Sequence, residues 1–189
     1  RHYLPEFGVE PVGFAAGVPF AELVPDLRQR VAGRRLSAVL IETPANPTNA
    51  LVDIDAVAAF TRELGGEPAV VMVDNTFLGP LWQKPLAHGA DLVIYSATKF
   101  IGGHSDVIAG AVSGRAAPMA KLRTLRAFLG TMADAWTGWL LLRSLETLKM
   151  RMTAQMKNAR YISDLLADHP KVRAVHYLGL LGEEHPMFD

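Results

Sequence analysis

The sequence contains no cysteine, so disulfide bonds and cysteine-ligated metals are excluded. It also has no excess of charge, because 19 basic residues balance 19 acidic ones, and no basic stripe indicates a nucleic-acid or lipid partner. No apolar run approaches the ~18 residues that a membrane-spanning helix needs. The first residues do not resemble a signal peptide. We therefore expect a cytoplasmic protein that binds neither nucleic acid nor membrane.

What is present is a chain of 189 residues, half of them hydrophobic, which is long enough for one domain with its own core. The first residue is Arg1 rather than Met, and the residues that follow Gly182 complete no predicted element. We therefore expect a piece of a longer polypeptide.

Short apolar runs alternate with stretches of helical periodicity. This alternation predicts an α/β fold, in which a mostly parallel sheet carries helices on both faces. We expect Asp55 to cap the second helix, and Gly65 and Gly66 to end it. The predicted strands are 12–16, 37–42 (buried), 69–74, 91–95, 108–113 and one that begins at 172, and the predicted helices are 20–32, 56–64, 118–129 and 137–167.

The last of these helices is long and amphipathic, with leucine and methionine side chains near one stripe. The composition changes at this helix, and we expect a domain boundary within it or just after it. Asp53 and Asp55 have the spacing of a metal-binding pair, but helix capping explains them better, and we expect no metal site.

Polar residues follow three of the predicted strands, in the segments 42–46, 74–76 and 96–99. Ligands of open α/β sheets bind at the carboxyl ends of the strands. We therefore expect these three segments to converge into one site, although they lie far apart in the sequence.

Lys99 is the most informative residue of this set. It follows the apolar run Asp91–Tyr95 and is flanked by two hydroxyl residues and two glycines. Burying an ammonium group among apolar residues is costly unless the group is paired or loses its charge. Because an amine must be partly neutral to attack a carbonyl, this placement favours a lysine that forms a Schiff base with an aldehyde cofactor.

Asp74 ends a strand of four apolar residues, so we expect it to be semi-buried. A buried carboxylate needs a cationic partner, and a protonated pyridine nitrogen would provide one. Such pairing would make the ring an electron sink, as the carbanion chemistry of pyridoxal phosphate requires. A plain strand-end aspartate that caps the turn at 75–76 explains the same pattern, and the residues alone leave both interpretations open.

The remaining polar residues each allow a structural and a functional interpretation. The hydroxyls of Ser96 and Thr98 suit either a phosphate or an ordinary turn. Asn46 lies in a loop stiffened by two prolines, which can aim its amide at a ligand oxygen. Glu42 orients that loop or is a solvated strand end. His104 is interpreted as a hydrogen-bonded structural histidine.

One literal motif competes with the cofactor hypothesis. The segment 96–99 matches S-x-x-K, the serine-acylation signature of penicillin-binding enzymes. That chemistry also expects the motifs S-D-N and K-T-G, and the sequence contains neither.

Four segments, 42–47, 73–77, 96–106 and 140–148, together resemble one known family in their order and spacing. It is the family of pyridoxal-phosphate (PLP) enzymes of cysteine and methionine metabolism, which includes cystathionine γ-synthase, cystathionine γ-lyase, methionine γ-lyase and homoserine-ester sulfhydrylases. The resemblance covers nearly the whole chain.

The resemblance implies the PLP fold type I, with an aspartate-aminotransferase-like large domain. Residues 1–150 would be this PLP-binding domain without its N-terminal part. Residues 151–189 would be a linking helix and the truncated start of a smaller C-terminal α/β domain. The family also implies a homo-oligomer, a dimer of dimers, that acts on a small amino-acid substrate.

The resemblance also implies a role for each site residue. Lys99 would form the Schiff base and later move a proton between substrate carbons. Asp74 would pair with the pyridine nitrogen, and Thr76 beside it would contribute to the cofactor site.

Ser96 and Thr98 would bind the phosphate in that scheme. Asn46 would contact the ring hydroxyl oxygen, with Glu42 supporting its loop. Phe100 stands where many members of the family have tyrosine.

The implied activity is γ-elimination or γ-replacement on a sulfur-containing amino acid or an O-acylhomoserine. A β-lyase or a homoserine-ester sulfhydrylase of the same family, and an inactive truncated relative, are the alternatives. The resemblance places several partners of the site outside this chain. A glycine-rich phosphate loop and a ring-stacking tyrosine would precede residue 1, and the arginine for the substrate carboxylate would follow Asp189.

Overall fold

Four five-residue strands form a single sheet in the computed structural model, which describes residues 3–182. The strands are β1 (Ala38–Glu42), β2 (Val70–Asp74), β3 (Leu92–Ser96) and β4 (Gly110–Gly114), and they lie side by side in chain order. The first three are parallel. The predicted mostly parallel α/β architecture is therefore confirmed.

The register fixes which residues share the carboxyl edge of the sheet. Glu42 is the Cα partner of Asp74, and Asp74 is the partner of Ile94. β4 runs antiparallel to β3, with Ser96 opposite Gly110. A strand parallel to β3 would need a crossover connection that carries the chain back to the opposite edge of the sheet. The connection after Ser96 instead turns back at the same edge, so β4 is antiparallel.

Six helices lie within residues 3–182. They are α1 (Phe20–Val31), α2 (Ile54–Gly65), α3 (Gly79–Trp82), α4 (Ala116–Leu129), α5 (Ala135–Leu145) and α6 (Leu148–Ala167). Three 3-10 turns occupy Leu4–Phe7, Pro85–His88 and Leu178–Leu180. None of the helices within residues 3–182 is long and apolar enough to cross a lipid bilayer.

The core lies between the sheet and the pair α1 and α2. Val71 and Val73 of β2 and Val57 of α2 are fully buried there. Phe20 of α1 packs edge-on against Phe60 of α2, with ring centroids 5.5 Å apart. Aromatic pairs in this geometry stabilise a core beyond the area they bury.

β1 is less buried than the sequence predicts. Ile41 faces the core, but Leu40 points to the other face and is 59% exposed. The expectation of a buried strand is wrong because β1 is the edge strand of the sheet and only one of its faces is covered within the described residues.

Two predicted strands do not form. Residues 12–16 form no strand. Val12 and Phe14 pack on the core, and the Gly13 carbonyl accepts from the Arg30 guanidinium at 2.9 Å. Residues 172–177 also lack strand pairing, and there the His176 carbonyl accepts from a side-chain amide of the loop after β1. In both segments, a side chain rather than a neighbouring strand donates to a backbone carbonyl.

The predicted helix 137–167 is two helices. Thr147 interrupts the helical ladder with φ −105° and ψ 1°, and its amide bonds the Ser144 carbonyl in a tight turn at 3.3 Å. The Ser144 carbonyl also accepts from Arg151 at 2.9 Å. A side chain that competes for a backbone carbonyl in this way breaks a helix that periodicity alone would continue.

The start of α2 differs from the prediction by two residues. Asp53, not Asp55, is the cap, and its Oδ1 accepts from the Ala56 amide at 2.9 Å. Asp55 lies inside the first turn and pairs with His88 at 2.8 Å. The helix begins at Ile54 because that side chain is buried in the core. Gly66, with φ +63°, ends the helix as predicted.

Asp91 anchors the opposite edge of the sheet. Its buried carboxylate accepts from Arg62 at 2.7 Å, from Arg115 at 2.8 Å and from the Val71 amide at 2.7 Å. Burial raises the pKa of Asp91, but the hydrogen bonds from Arg62, the Val71 amide and Arg115 outweigh it and hold the pKa below its ordinary value. One ionised group therefore holds together the amino ends of β2 and β3 and the carboxyl end of the antiparallel β4.

Candidate active site

Glu42 and Asp74 end neighbouring strands at the carboxyl edge of the sheet, and Ser96 ends the next strand. Along β2, Val71 and Val73 face the core, so Asp74 lies on the opposite, more open face. Asp74 is half-buried, as the sequence predicts. Two carboxylates at adjacent strand ends make this part of the edge negative, and such a potential favours a cationic ligand group.

Hydrogen bonds extend the contact between β2 and β3 beyond the strands themselves. The Asn75 amide donates to the Ile94 carbonyl at 2.9 Å. The Ser96 amide donates to the Thr76 hydroxyl at 2.7 Å. These bonds fix the segment after Asp74 against the end of β3, so two of the three predicted segments lie together.

The Asp74 carboxylate also shapes its own turn. Oδ1 accepts from the Thr76 amide at 3.0 Å, which is the turn-capping role that the sequence allows. This bond uses one oxygen and leaves Oδ2 available for a second partner. Turn capping and pairing with a ligand cation are thus compatible at this residue.

Lys99 lies in a tight turn directly after β3. Its amide bonds the Ser96 carbonyl at 3.0 Å, and its carbonyl accepts from the Gly103 amide at 2.7 Å. The side chain of Lys99 is exposed, whereas that of Ala97 is fully buried. The expectation of a buried ammonium is wrong, because Ala97 is the residue of this turn that packs inward.

The hydroxyl of Thr98 has a structural partner. It accepts from the Ala109 amide at 2.9 Å and lies 3.3 Å from the Ala109 carbonyl, to which it donates. The Thr98 amide bonds that carbonyl as well, at 3.1 Å. Thr98 therefore fastens the Lys99 turn to the residue that precedes β4.

The loop after β1 presents Asn46 at the surface. Thr43 and Pro44 are buried, and the Thr43 hydroxyl accepts from the Val52 amide at 2.9 Å. The Ala45 amide bonds the Ala50 carbonyl across the loop at 2.9 Å. Asn46 and the adjoining strand end Glu42 are exposed, so a rigid base holds two freely accessible polar side chains.

The glycines and histidine after Lys99 shape the turn. A Cβ on Gly102 would lie 2.8 Å from Val107 and 2.9 Å from the Ala97 carbonyl, so only glycine fits there. Gly103 has φ +76°. His104 Nδ1 lies 2.7 Å from the Gly102 carbonyl, in agreement with the structural role predicted for this histidine.

Sequence reasoning missed Asn75 as the polar centre beneath the site. It is completely buried, and its side-chain amide donates to the carbonyls of Gly79 at 3.0 Å and Gln83 at 3.2 Å and contacts the Tyr95 hydroxyl at 3.3 Å. Asn75 thereby closes the loop that follows Asp74. The sequence feature that could have indicated Asn75 is a run of three polar residues directly after an apolar strand.

A sequence comparison identifies the class of protein to which the chain belongs. The sequence profile described as Cys/Met metabolism PLP-dependent enzyme matches residues 19–189, and the chain belongs to that family. The family match also replaces the serine-acylation interpretation of residues 96–99.

Individual relatives are similar along most of the chain. An L-methionine gamma-lyase of Brevibacterium sandarakinum is 44% identical over 77% of this chain and 36% of its own length. One of Fusobacterium nucleatum is 38% identical over 100% of this chain and 46% of its own length. A cystathionine gamma-lyase of Dictyostelium discoideum is 43% identical over 80% of this chain and 38% of its own length.

Solved structures agree with the fold. The crystal structure of an apo methionine gamma lyase from Micromonospora echinospora superposes with a TM-score of 0.83 at 38% identity, covering 97% of this chain and 48% of that one. The chain thus spans less than half the length of these relatives.

The residues at the sheet edge fit the cofactor of the family, PLP. An exposed primary amine, Lys99, follows one strand, and Asp74, a carboxylate whose Oδ2 has no hydrogen-bond partner among residues 3–182, ends the adjacent strand. An amine and a carboxylate are the groups that an aldehyde and a pyridine nitrogen respectively require.

Proposed function

We propose that the full-length protein catalyses γ-elimination or γ-replacement on a sulfur-containing amino acid or an O-acylhomoserine. The observation that carries this proposal is the grouping of Asp74, Ser96 and the Lys99 turn at adjoining strand ends, in a chain of this family. Relatives named methionine gamma-lyase and cystathionine gamma-synthase support γ-chemistry.

The chemistry divides between the cofactor and the chain. PLP, when bound, supplies an aldehyde for the substrate amine and a ring that accepts electrons. When PLP is bound, the Lys99 amine would hold it covalently, and the free amine would remove the α-proton of the substrate and deliver it to another substrate carbon. Asp74 keeps the pyridine nitrogen protonated.

The other predicted residues hold and orient the cofactor. We assign the phosphate to Ser96 and Thr98, although Thr98 must share its hydroxyl with Ala109. We assign the ring hydroxyl oxygen to Asn46 and the support of its loop to Glu42. Thr76 acts through the Ser96 amide, which it fixes at 2.7 Å.

We further propose the larger arrangement that the family implies. Residues 1–150 belong to the PLP-binding domain, and residues 151–189 form a linking helix and the start of a C-terminal domain. The protein acts in the cytoplasm as a homo-oligomer, a dimer of dimers.

A β-lyase is the second candidate, because a chloroplastic cystathionine beta-lyase of Arabidopsis thaliana is 38% identical over 82% of this chain. The two reactions give different products. γ-Elimination from methionine, cystathionine, O-succinylhomoserine or O-acetylhomoserine yields 2-oxobutyrate, γ-replacement yields a thiol adduct, and β-elimination from cystathionine yields pyruvate. Product analysis on the full-length protein with these four substrates decides between them, and pyruvate as the sole product contradicts γ-chemistry.

Covalent attachment of the cofactor gives a second test. The full-length protein is incubated with PLP, reduced with borohydride and digested, and the modified lysine is located by mass spectrometry. We expect modification at Lys99, loss of it in Lys99→Ala, and no change in Lys121→Ala, since Lys121 lies exposed on α4. Attachment elsewhere or none at all contradicts the proposal.

A further inference from the structure

The Lys99 turn is held from outside by one arginine of α6. The Arg151 guanidinium donates to the Phe100 carbonyl at 2.8 Å and to the Ile101 carbonyl at 3.3 Å. These are the two residues that follow Lys99. An arginine presents its donors in a rigid planar fork, so contacts of this kind fix direction as well as distance.

The same guanidinium is itself fixed at its base. Its Nε donates to the Thr147 hydroxyl at 3.1 Å, and Nη2 donates to the Ser144 carbonyl at 2.9 Å. Both acceptors lie at the junction of α5 and α6. The break between these helices therefore presents acceptors that hold Arg151 against the turn.

Gly103 is shaped to admit this arginine. A Cβ at Gly103 would collide with the guanidinium of Arg151, and the φ of +76° independently favours glycine. The end of the lysine turn and the first turn of α6 thus fit each other closely, although they are distant in sequence.

The first turn of α6 contacts the neighbouring connection too. Met152 is buried, and a Cβ on Gly79 would lie 2.8 Å from its terminal methyl group. Gly79 begins α3, in the connection that follows Asp74 and Asn75. One helix end therefore braces the connection that follows Asp74, the last residue of β2, and the connection after β3, which carries Lys99.

We propose that Arg151 is a positioning residue for Lys99, which sets the direction of the amine by holding the Phe100 and Ile101 carbonyls. The inference rests on the proposed function, because it assigns the turn to the PLP-bearing lysine. Misplacing a reacting group by about 1 Å can cost ~100-fold in rate. Arg151 touches neither substrate nor cofactor in this scheme and acts through the backbone.

The test compares Arg151→Lys with the matched control Arg160→Lys in the full-length protein loaded with PLP. Lysine keeps the charge but loses the fork. Arg160 lies on the same helix, is exposed, and bonds Asp164 and the Gly179 carbonyl away from the turn. The readouts are kcat, the pH midpoint of the visible absorbance of the bound cofactor, and the free energy of unfolding.

We expect Arg151→Lys to lower kcat by about 10- to 100-fold and to shift the pH midpoint, and Arg160→Lys to change neither. If an Arg151 variant changes only the free energy of unfolding, the inference is wrong, because a purely structural role would leave kcat and the pH midpoint unchanged. If Arg151→Lys does not fold, Thr147→Val, which removes one acceptor of the guanidinium, replaces it and should itself shift the midpoint. An unchanged midpoint in that variant overturns the inference as well.

The two proposals fail in distinguishable ways. An unaltered protein that attaches no PLP at Lys99 contradicts the proposed function and this inference together. Attachment at Lys99 with unchanged behaviour of the Arg151 variants contradicts this inference alone.

Discussion

Asp74 combines two roles that a substitution can separate. Its Oδ1 caps the turn at Thr76, and its charge is proposed to hold the protonated ring. Asparagine retains the acceptor oxygen and removes the charge, whereas alanine removes both.

We therefore expect Asp74→Asn in the full-length protein to lower kcat by at least ~100-fold while changing the free energy of unfolding by no more than about 0.5 kcal/mol. Asp74→Ala should lose the same activity and about 1 kcal/mol of stability in addition. Steady-state kinetics and urea unfolding measure the two effects. Full activity in Asp74→Asn would leave turn capping as the whole role of this residue.

Asn75 has a structural role, whereas the proposed role of Asp74 is chemical. Its buried amide donates to the Gly79 and Gln83 carbonyls, so a carboxylate at this position would face two acceptors and have nothing to donate.

We expect Asn75→Asp to cost about 2–4 kcal/mol of unfolding free energy. Asn158→Asp introduces the same charge at an exposed position of α6 and should cost almost nothing. Urea denaturation of the unaltered protein and the two variants at neutral pH measures these differences. Equal stability of the two variants would show that the contacts of the Asn75 amide contribute nothing to the free energy of unfolding.

At the scale of elements, the start of α2 offers a matched pair of aspartates. Asp53 accepts from the Ala56 amide, while Asp55 makes an exposed pair with His88. Capping satisfies a backbone donor, whereas an exposed contact between two polar side chains gains little in water.

Asp53→Ala should therefore lower the free energy of unfolding by about 1 kcal/mol, and Asp55→Ala by clearly less. Urea unfolding near neutral pH measures both. The reverse order would mean that Asp55 caps α2 and that the helix begins at Ala56, as the sequence pattern alone predicts.

Sequence patterns identify elements best where short-range physics decides them. The strands β1, β2 and β3 are predictable because each apolar run ends at a polar residue, and the polar strand ends identify the site for the same reason. The cap of α2 is ambiguous, since Asp53 and Asp55 both precede a helical pattern and only the burial of Ile54 selects between them.

Contacts between distant segments are what the sequence does not reveal. The helix break at Thr147 depends on Arg151, which turns toward the Lys99 turn instead of continuing the surface of one helix. The exposure of Lys99 likewise depends on how Ala97 packs after β3 ends. Neither the helix break nor the exposure of Lys99 produces a periodic pattern in the sequence.

At the scale of the whole molecule, the two edges of the sheet have different roles. The amino edge is tied together by Asp91 with Arg62 and Arg115, and the carboxyl edge carries the candidate site. Stability can therefore be altered at Asp91 without touching a residue assigned to the reaction.

Because the pKa of Asp91 is lowered on folding, its contribution to stability is complete above the unfolded pKa and is lost as the pH falls through the folded value. We expect this part of the free energy of unfolding to be lost as the pH falls below 3.8, the ordinary pKa of an aspartate, and Asp91→Asn to flatten that slope while lowering stability at pH 7. Asp26→Asn, which alters an exposed pair with Arg30, serves as the control. A slope that Asp91→Asn leaves unchanged would assign the acid sensitivity to other groups.

The fastening of Thr98 to Ala109 has a consequence for engineering. Both the backbone and the hydroxyl of Thr98 bond Ala109, so the connection between β3 and β4 is pinned at each end. A tag or a new chain terminus placed between them would spoil the register of Ser96 with Gly110. The exposed turn around Gly33 is a more permissive place for such a graft, provided that Gly33 itself, with φ +73°, is kept.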